Sequence, residues 1–150
     1  MNCDQRMMQR CLELARRARE AGDHPFGAVV VDADGHVVSE GRNREVTESD
    51  VSWHAEMEAI KKVTTSRRNT SLEAMTLYTN GQPCIMCSAV IRFTGISRVV
   101  FGARARAPYR AHPHPLTDPE FGQLPPPTVE GGLMAEESLE VQGRQPDRRL

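Results

Sequence analysis

Two short stretches carry the side chains best suited to chemistry: Trp53-His54-Ala55-Glu56 and Pro83-Cys84-Ile85-Met86-Cys87. Together they offer one imidazole, two ionisable thiols and one carboxylate. Structural zinc takes four protein ligands, whereas catalytic zinc keeps one position for water. His54, Cys84 and Cys87 supply three, and no fourth Cys or His lies close in sequence to either stretch. Glu56, two residues past the histidine, is then free to move a proton. The pair reads as a catalytic zinc centre with its own acid/base group.

Neighbouring residues suggest what must hold these groups. Cys84 and Cys87 are three apart, which on a helix puts them on one face about one turn from each other. Pro83 suits the first turn of that helix, where its missing N–H costs nothing. Thiolates there meet the positive end of the helix dipole and free backbone N–H groups. Ser52 is the expected cap of a second helix carrying His54, Glu56, Ala59, Ile60 and Val63. Two helix starts facing each other would close the metal site. Taken singly, a histidine is usually a satisfied core or surface residue, and Cys-x-x-Cys is often a redox or structural pair. The order His-x-Glu…Pro-Cys-x-x-Cys is instead the signature of zinc deaminases.

The rest of the chain reads as alternating helices and strands. Met8, Cys11, Leu12, Ala15 and Ala18 fall at helical spacing within Asp4–Ala21, and Gly22 ends that helix. These positions are core packing, not chemistry. Ala28–Val31 is a buried β-branched strand, Asp32-Ala33-Asp34-Gly35 a hairpin turn and His36–Gly41 the returning strand. Arg44–Val51 is polar and turn-like, and the His54 helix runs to about Thr65. After a basic loop at Ser66–Ser71 come a third strand at Ala74–Thr79, the cysteine helix to about Phe93, a break at Gly95 and a fourth strand at Ile96–Phe101. This order predicts an α/β fold: a three-layer αβα sandwich with a mixed sheet, antiparallel at its first hairpin.

One domain is expected over 1–150, with its core at about 4–103 and a loop-rich segment at 104–150. Within the latter, Arg104–Tyr109 is basic, while His112-Pro113-His114-Pro115 and Pro125-Pro126-Pro127 are stiff loop. A loop this long suits a lid or subunit contact over the site. Gly132–Val141 reads as a short helix and Gln142–Leu150 as a frayed tail.

His24-Pro25-Phe26-Gly27-Ala28-Val29-Val30-Val31, Gly41-Arg42-Asn43, the His54 motif, Leu77-Tyr78-Thr79, the cysteine motif and Arg98-Val99-Val100-Phe101-Gly102-Ala103 resemble, in that order, the cytidine deaminase superfamily. The likeness is to the branch of guanine deaminases and tRNA adenosine deaminases, and it covers about Met7–Ala103, with a looser match around Val129–Val141. It implies hydrolytic deamination of a nucleobase-like ring, zinc as cofactor, Glu56 as the proton shuttle and a homodimer. It also implies substrate contacts from Phe26, Asn43, Trp53, Phe93 and Asp118. The backbone N–H groups of Ala55 and Cys84 would steady the developing oxygen. Phe26 has an aromatic face suited to stacking on a flat base, although asparagine at position 43 is equally at home in a plain turn. The family pattern Thr-x-Glu-Pro-Cys is here Thr79-Asn80-Gly81-Gln82-Pro83-Cys84. Gln82 keeps hydrogen bonding without charge, and Gly81 is expected to loosen the turn.

Nineteen basic residues face twenty acidic ones, and a dedicated nucleic-acid binder more often has a basic excess. A small-molecule nucleobase is therefore the expected substrate. A tRNA deaminase, favoured by Arg104, Arg106 and Arg110, is the alternative. A third reading is a non-catalytic zinc module whose fourth ligand is Cys3, Cys11, His112 or His114; Glu56 argues against it. The sequence has no run of eighteen apolar residues and no signal-like leader, so no membrane span and a cytoplasmic location are expected.

Overall fold

A computed structural model of the chain describes residues 1–106 and 114–145. The elements follow in the order α1 (Cys3–Glu20), β1 (Gly27–Val31), β2 (Val37–Arg42), α2 (Ala55–Arg67), β3 (Thr76–Gly81), α3 (Ile85–Thr94), β4 (Arg98–Ala103), β5 (Thr128–Gly131) and α4 (Ala135–Val141). One mixed sheet has the strand order β2-β1-β3-β4-β5. β1 runs antiparallel to both its neighbours, and β3, β4 and β5 run parallel.

Side chains alternate across a strand, so the apolar run of β1 feeds two cores. Ala28 and Val30 join Ala59, Ile60 and Val63 of α2 and Ile91 of α3. Val29 and Val31 join Met8, Cys11 and Leu14 of α1 on the opposite face. Helices therefore cover both faces, as the predicted three-layer αβα sandwich requires. A capping box starts α1, with Asn2 and Gln5 exchanging side-chain and backbone bonds. Asp4 then ties the helix to the sheet, accepting from the Tyr78 hydroxyl at 2.7 Å and from Arg98 at 2.9 and 2.7 Å.

Several local expectations need correction. Ser52 does not cap α2: its hydroxyl donates to Asp50, and His54 holds the N-cap position without a side-chain cap bond. Pro83 lies outside α3, whose N-cap is Cys84 itself. The expected helix at 132–141 starts only at Ala135, because Gly132 and Met134 have φ of +92° and +52°. The edge strand β5 was not among the expected strands; it is four residues long with no fully buried position.

The loop after β4 has no core of its own. Arg92, 2% exposed on α3, instead donates to the carbonyls of Pro115, Asp118, Phe121 and Leu124. A guanidinium has five N–H donors in a fixed fork, and here it fastens residues 115–124 to the helix. The central part of the expected lid, 107–113, with Arg110 and His112, lies outside the described residues, as does 146–150 of the expected tail. Residues 142–144 of that tail are held rather than frayed. Gln142 Nε2 donates to the Asn80 carbonyl at 3.1 Å, and the Arg144 N–H donates to Leu139 at 2.9 Å.

Candidate active site

The starts of α2 and α3 meet beside the sheet. A side-chain carbon on Gly41 would stand 2.3 Å from the Ala55 carbonyl oxygen, so glycine in β2 is what lets α2 begin so close to the strands. Ala55, fully buried, is the first residue of α2, directly after His54. Its N–H is among the helix-start donors that lack an intrahelical partner.

His54 Nδ1 lies 3.5 Å from Cys84 Sγ and 3.5 Å from Cys87 Sγ. Tetrahedral zinc with ordinary Zn–S and Zn–N lengths puts nitrogen and sulfur about 3.6 Å apart. The three residues therefore fit zinc as they stand. Cys3, Cys11 and His114 are not in this donor group, and Cys11 is buried in the α1 core. Among the described residues, the structural-zinc reading lacks its fourth ligand. A second grouping, Asp32, Asp34 and His36, is mostly exposed in the β1–β2 turn.

Without metal, the three groups share their protons unequally. The Cys87 thiol, with help from His54 and the Cys87 N–H, holds the Cys84 thiol down at about 4. The Cys87 thiol is pushed up by Cys84, by burial and by Glu56. His54 is raised to about 9, chiefly by its bond to Cys84 and against burial, with Glu56 and Glu45 adding to the rise. Metal ligands must be deprotonated, so zinc uptake here releases protons.

Glu56 is 5% exposed and sits beside the ligands. Its Oε1 accepts from the Thr79 hydroxyl at 2.7 Å, and its Oε2 lies 3.1 Å from Cys87 Sγ. A cleft of about 730 Å³ opens onto Glu56, His54 and Cys84, and Phe26 and Asn43 line it as well. Asn80, fully buried at the end of β3, accepts from the Gly27 N–H at 2.9 Å and donates to the Pro25 carbonyl at 3.1 Å. Those bonds fix the segment bearing Phe26. Gly81, expected to loosen a turn, instead ends β3. A side-chain carbon there would come 2.7 Å from Phe26 Cε1, so its absence seats the ring. Gln82 keeps the hydrogen bonding foreseen for it, its Oε1 accepting from the Ala105 N–H at 2.9 Å.

Asn43 is both a turn residue and a wall of the cleft. Its Oδ1 accepts from the Glu45 N–H at 3.0 Å, and its Nδ2 donates to Glu45 Oε1 at 2.8 Å. One amide hydrogen and one lone pair remain for a ligand.

Three residues expected at the substrate stand elsewhere. The Trp53 indole donates to Glu58 Oε2 at 3.1 Å and lies under Lys61, so it packs against α2. Phe93 is 66% exposed on α3, stacked on Phe121 at 5.8 Å. Asp118 turns back on its own loop, accepting from the Glu120 N–H at 2.9 Å. None of the three is in the cleft lining. Sequence reasoning missed Glu45, Thr79, Asn80, Gln142 and Arg144. Polar residues closing an apolar strand were a legible signal for Thr79 and Asn80, whereas Glu45 was hidden in a stretch that read as polar turn.

Residues 1–103 match the cytidine and deoxycytidylate deaminase zinc-binding region. The chain belongs to this family. It is 41% identical over 95 residues to a probable cytosine deaminase of Schizosaccharomyces pombe, covering 63% of this chain and 57% of that protein. It is 40% identical over 100 residues to the tRNA-specific adenosine deaminase of Haemophilus influenzae, covering 67% of this chain and 58% of that one. The chain thus spans less than two thirds of either relative's length. Among solved structures, a tRNA:A34 deaminase active in A-to-I editing at the wobble position superposes with a TM-score of 0.82 at 32% identity, covering 91% of this chain and 98% of that one.

Proposed function

We propose that this family member is a hydrolytic deaminase of a free, flat, aminated heterocycle, such as guanine or a related purine, pyrimidine or triazine. The observation carrying the reading is Phe26, an aromatic wall of the cleft that opens onto Glu56 and His54. When bound, zinc supplies Lewis acidity, bringing the pKa of water down to about 7. The ring stacks on Phe26 and is oriented by the remaining donor and acceptor of Asn43. Glu56, steadied by Thr79, takes one proton from water as the water oxygen bonds to the amino-bearing ring carbon and passes it to the adjacent ring nitrogen; it then moves the second water proton to the exocyclic amine as the C–N bond breaks. Water and the amino-substituted ring thereby become an oxo-ring and ammonia.

The likeness to a probable cytosine deaminase supports a small ring, as does a net charge of −1. A second reading, a tRNA adenosine deaminase, draws on the wobble-position deaminase and on Arg106 and Arg144 in the cleft lining. Ammonia release, assayed side by side on free bases, nucleosides and tRNA, separates the two. Ammonia from a free base supports the first; inosine in tRNA with inert free bases supports the second. The homodimer implied by the resemblance belongs to the same proposal. Ile85 and Phe93 leave apolar surface on α3, 56% and 66% exposed, and light scattering from a monomer at micromolar protein would remove it.

A further inference from the structure

We propose that Glu45 is a positioning residue for the metal centre, holding His54 from the side away from the sulfurs and coupling it to Asn43. His54 turns Nδ1 towards Cys84 and Cys87, while its Nε2 lies 3.0 Å from Glu45 Oε1. A metal-bound histidine almost always gives its second ring N–H to a carboxylate, a carbonyl or water. Glu45 is the carboxylate placed to receive it. The bond selects the tautomer that leaves the Nδ1 lone pair for metal, and the negative charge behind the ring makes that lone pair a better donor.

The geometry around Glu45 argues against a chance surface encounter. Its N–H donates to Asn43 Oδ1 at 3.0 Å, and its carbonyl accepts from the Asp50 N–H at 3.0 Å. The preceding residue is clamped as well: the Arg44 N–H donates to the Trp53 carbonyl at 3.0 Å, and its Nε donates to Glu58 at 3.0 Å. The backbone carrying Glu45 is thus tied to residues just before and within α2. Its side chain is also held, since Oε1 accepts from Asn43 Nδ2 at 2.8 Å. One oxygen therefore bridges a metal ligand and an amide of the cleft wall. The other, Oε2, lies 3.9 Å from His24 Nε2. A polar loop of no regular structure is in this way made part of the metal site.

The inference stands on the zinc ligands alone and does not depend on which ring the cleft takes. The test is zinc affinity, read by competition with a chromogenic chelator at fixed pH. Glu45→Ala should bind zinc about 10–100-fold more weakly. Glu45→Gln keeps an acceptor without the charge and should fall between. Replacing zinc by cobalt(II) adds a direct view of the ligand field: the visible bands of Glu45→Ala should shift from those of the parent. Melting of the metal-free proteins serves as the folding control. If Glu45→Ala folds and holds zinc as tightly as the parent, with unchanged cobalt bands, the proposal is overturned. Should Glu45→Ala fail to fold, the same two readouts on Glu45→Gln decide, and parent-like values again overturn it.

Discussion

The hydroxyl of Thr79 donates to Glu56 Oε1 over 2.7 Å, so the carboxylate facing the cleft is held from behind by a fully buried residue of β3. A proton shuttle must swing little and point well, and one fixed oxygen leaves the other to work. Replacing Glu56 by Gln should keep zinc and fold while reducing turnover about 10²–10⁴-fold. Thr79→Val removes only the tether. A hydrogen bond to a charged group contributes about 1.5–3 kcal/mol, so kcat should fall roughly tenfold or more with KM little changed. Steady-state kinetics beside zinc analysis checks both; parent-like kcat in Thr79→Val would strip the tether of its role.

Metal removal should be equally discriminating. Cys87→Ala deletes one of three ligands, together with the sulfur 3.1 Å from Glu56 Oε2, and it should lose both zinc and activity. Cys11→Ala, in the α1 core, should retain zinc stoichiometry because that sulfur lies outside the donor group. A chelator should abolish activity in the parent, and added zinc should restore it. Full zinc content in Cys87→Ala would break the ligand assignment.

Acid should loosen α1 from the sheet. The Arg98 guanidinium, with the Tyr78 hydroxyl, holds the Asp4 carboxyl at about 2, below its ordinary 3.8. A carboxyl depressed in the folded state adds stability above its unfolded value, and that stability is lost as pH falls through the folded one. The difference between parent and Asp4→Asn should therefore be full above pH 3.8 and vanish towards about pH 2. The Asp4 side chain is 31% exposed, and solvent screening limits the gain to about 1 kcal/mol. Urea melts of both proteins across that window measure it.

The metal ligands were legible because their chemistry demands both residue type and spacing. The two faces of β1 were legible for a similar reason, since a β-branched run of that length needs burial on both sides. Substrate contacts were another matter. Trp53 adjoins the histidine in sequence, yet at a helix start one residue is enough to turn a side chain from the cleft to Glu58 and Lys61. Phe93 lies six residues past Cys87, on the outward surface of the same helix. Glu45 and Gln142 reach the site only through tertiary folding, from segments whose composition reads as solvent-facing. β5 is short and at the sheet edge, where no buried alternation marks it.

The substrate is tested best at Phe26. A detached ring has no sugar or phosphate to anchor it, so the aromatic wall must supply much of its grip. Base–aromatic stacking contributes about 1–3 kcal/mol per base, and Phe26→Ala should lower kcat/KM on a free heterocycle about tenfold or more. Phe26→Leu would keep bulk against Gly81 without the aromatic face, and so separates stacking from simple filling of space. Salt adds an independent criterion. A polyanion binder loses affinity steeply as ionic strength rises, because binding releases counterions. Free-base turnover by a chain of net charge −1 should change little between low and moderate salt. The arginines of the cleft lining, Arg106 and Arg144, are where the opposite result would originate. Steep inhibition by salt, with tRNA as the only productive substrate and Phe26→Ala unimpaired on it, would move the assignment to RNA editing.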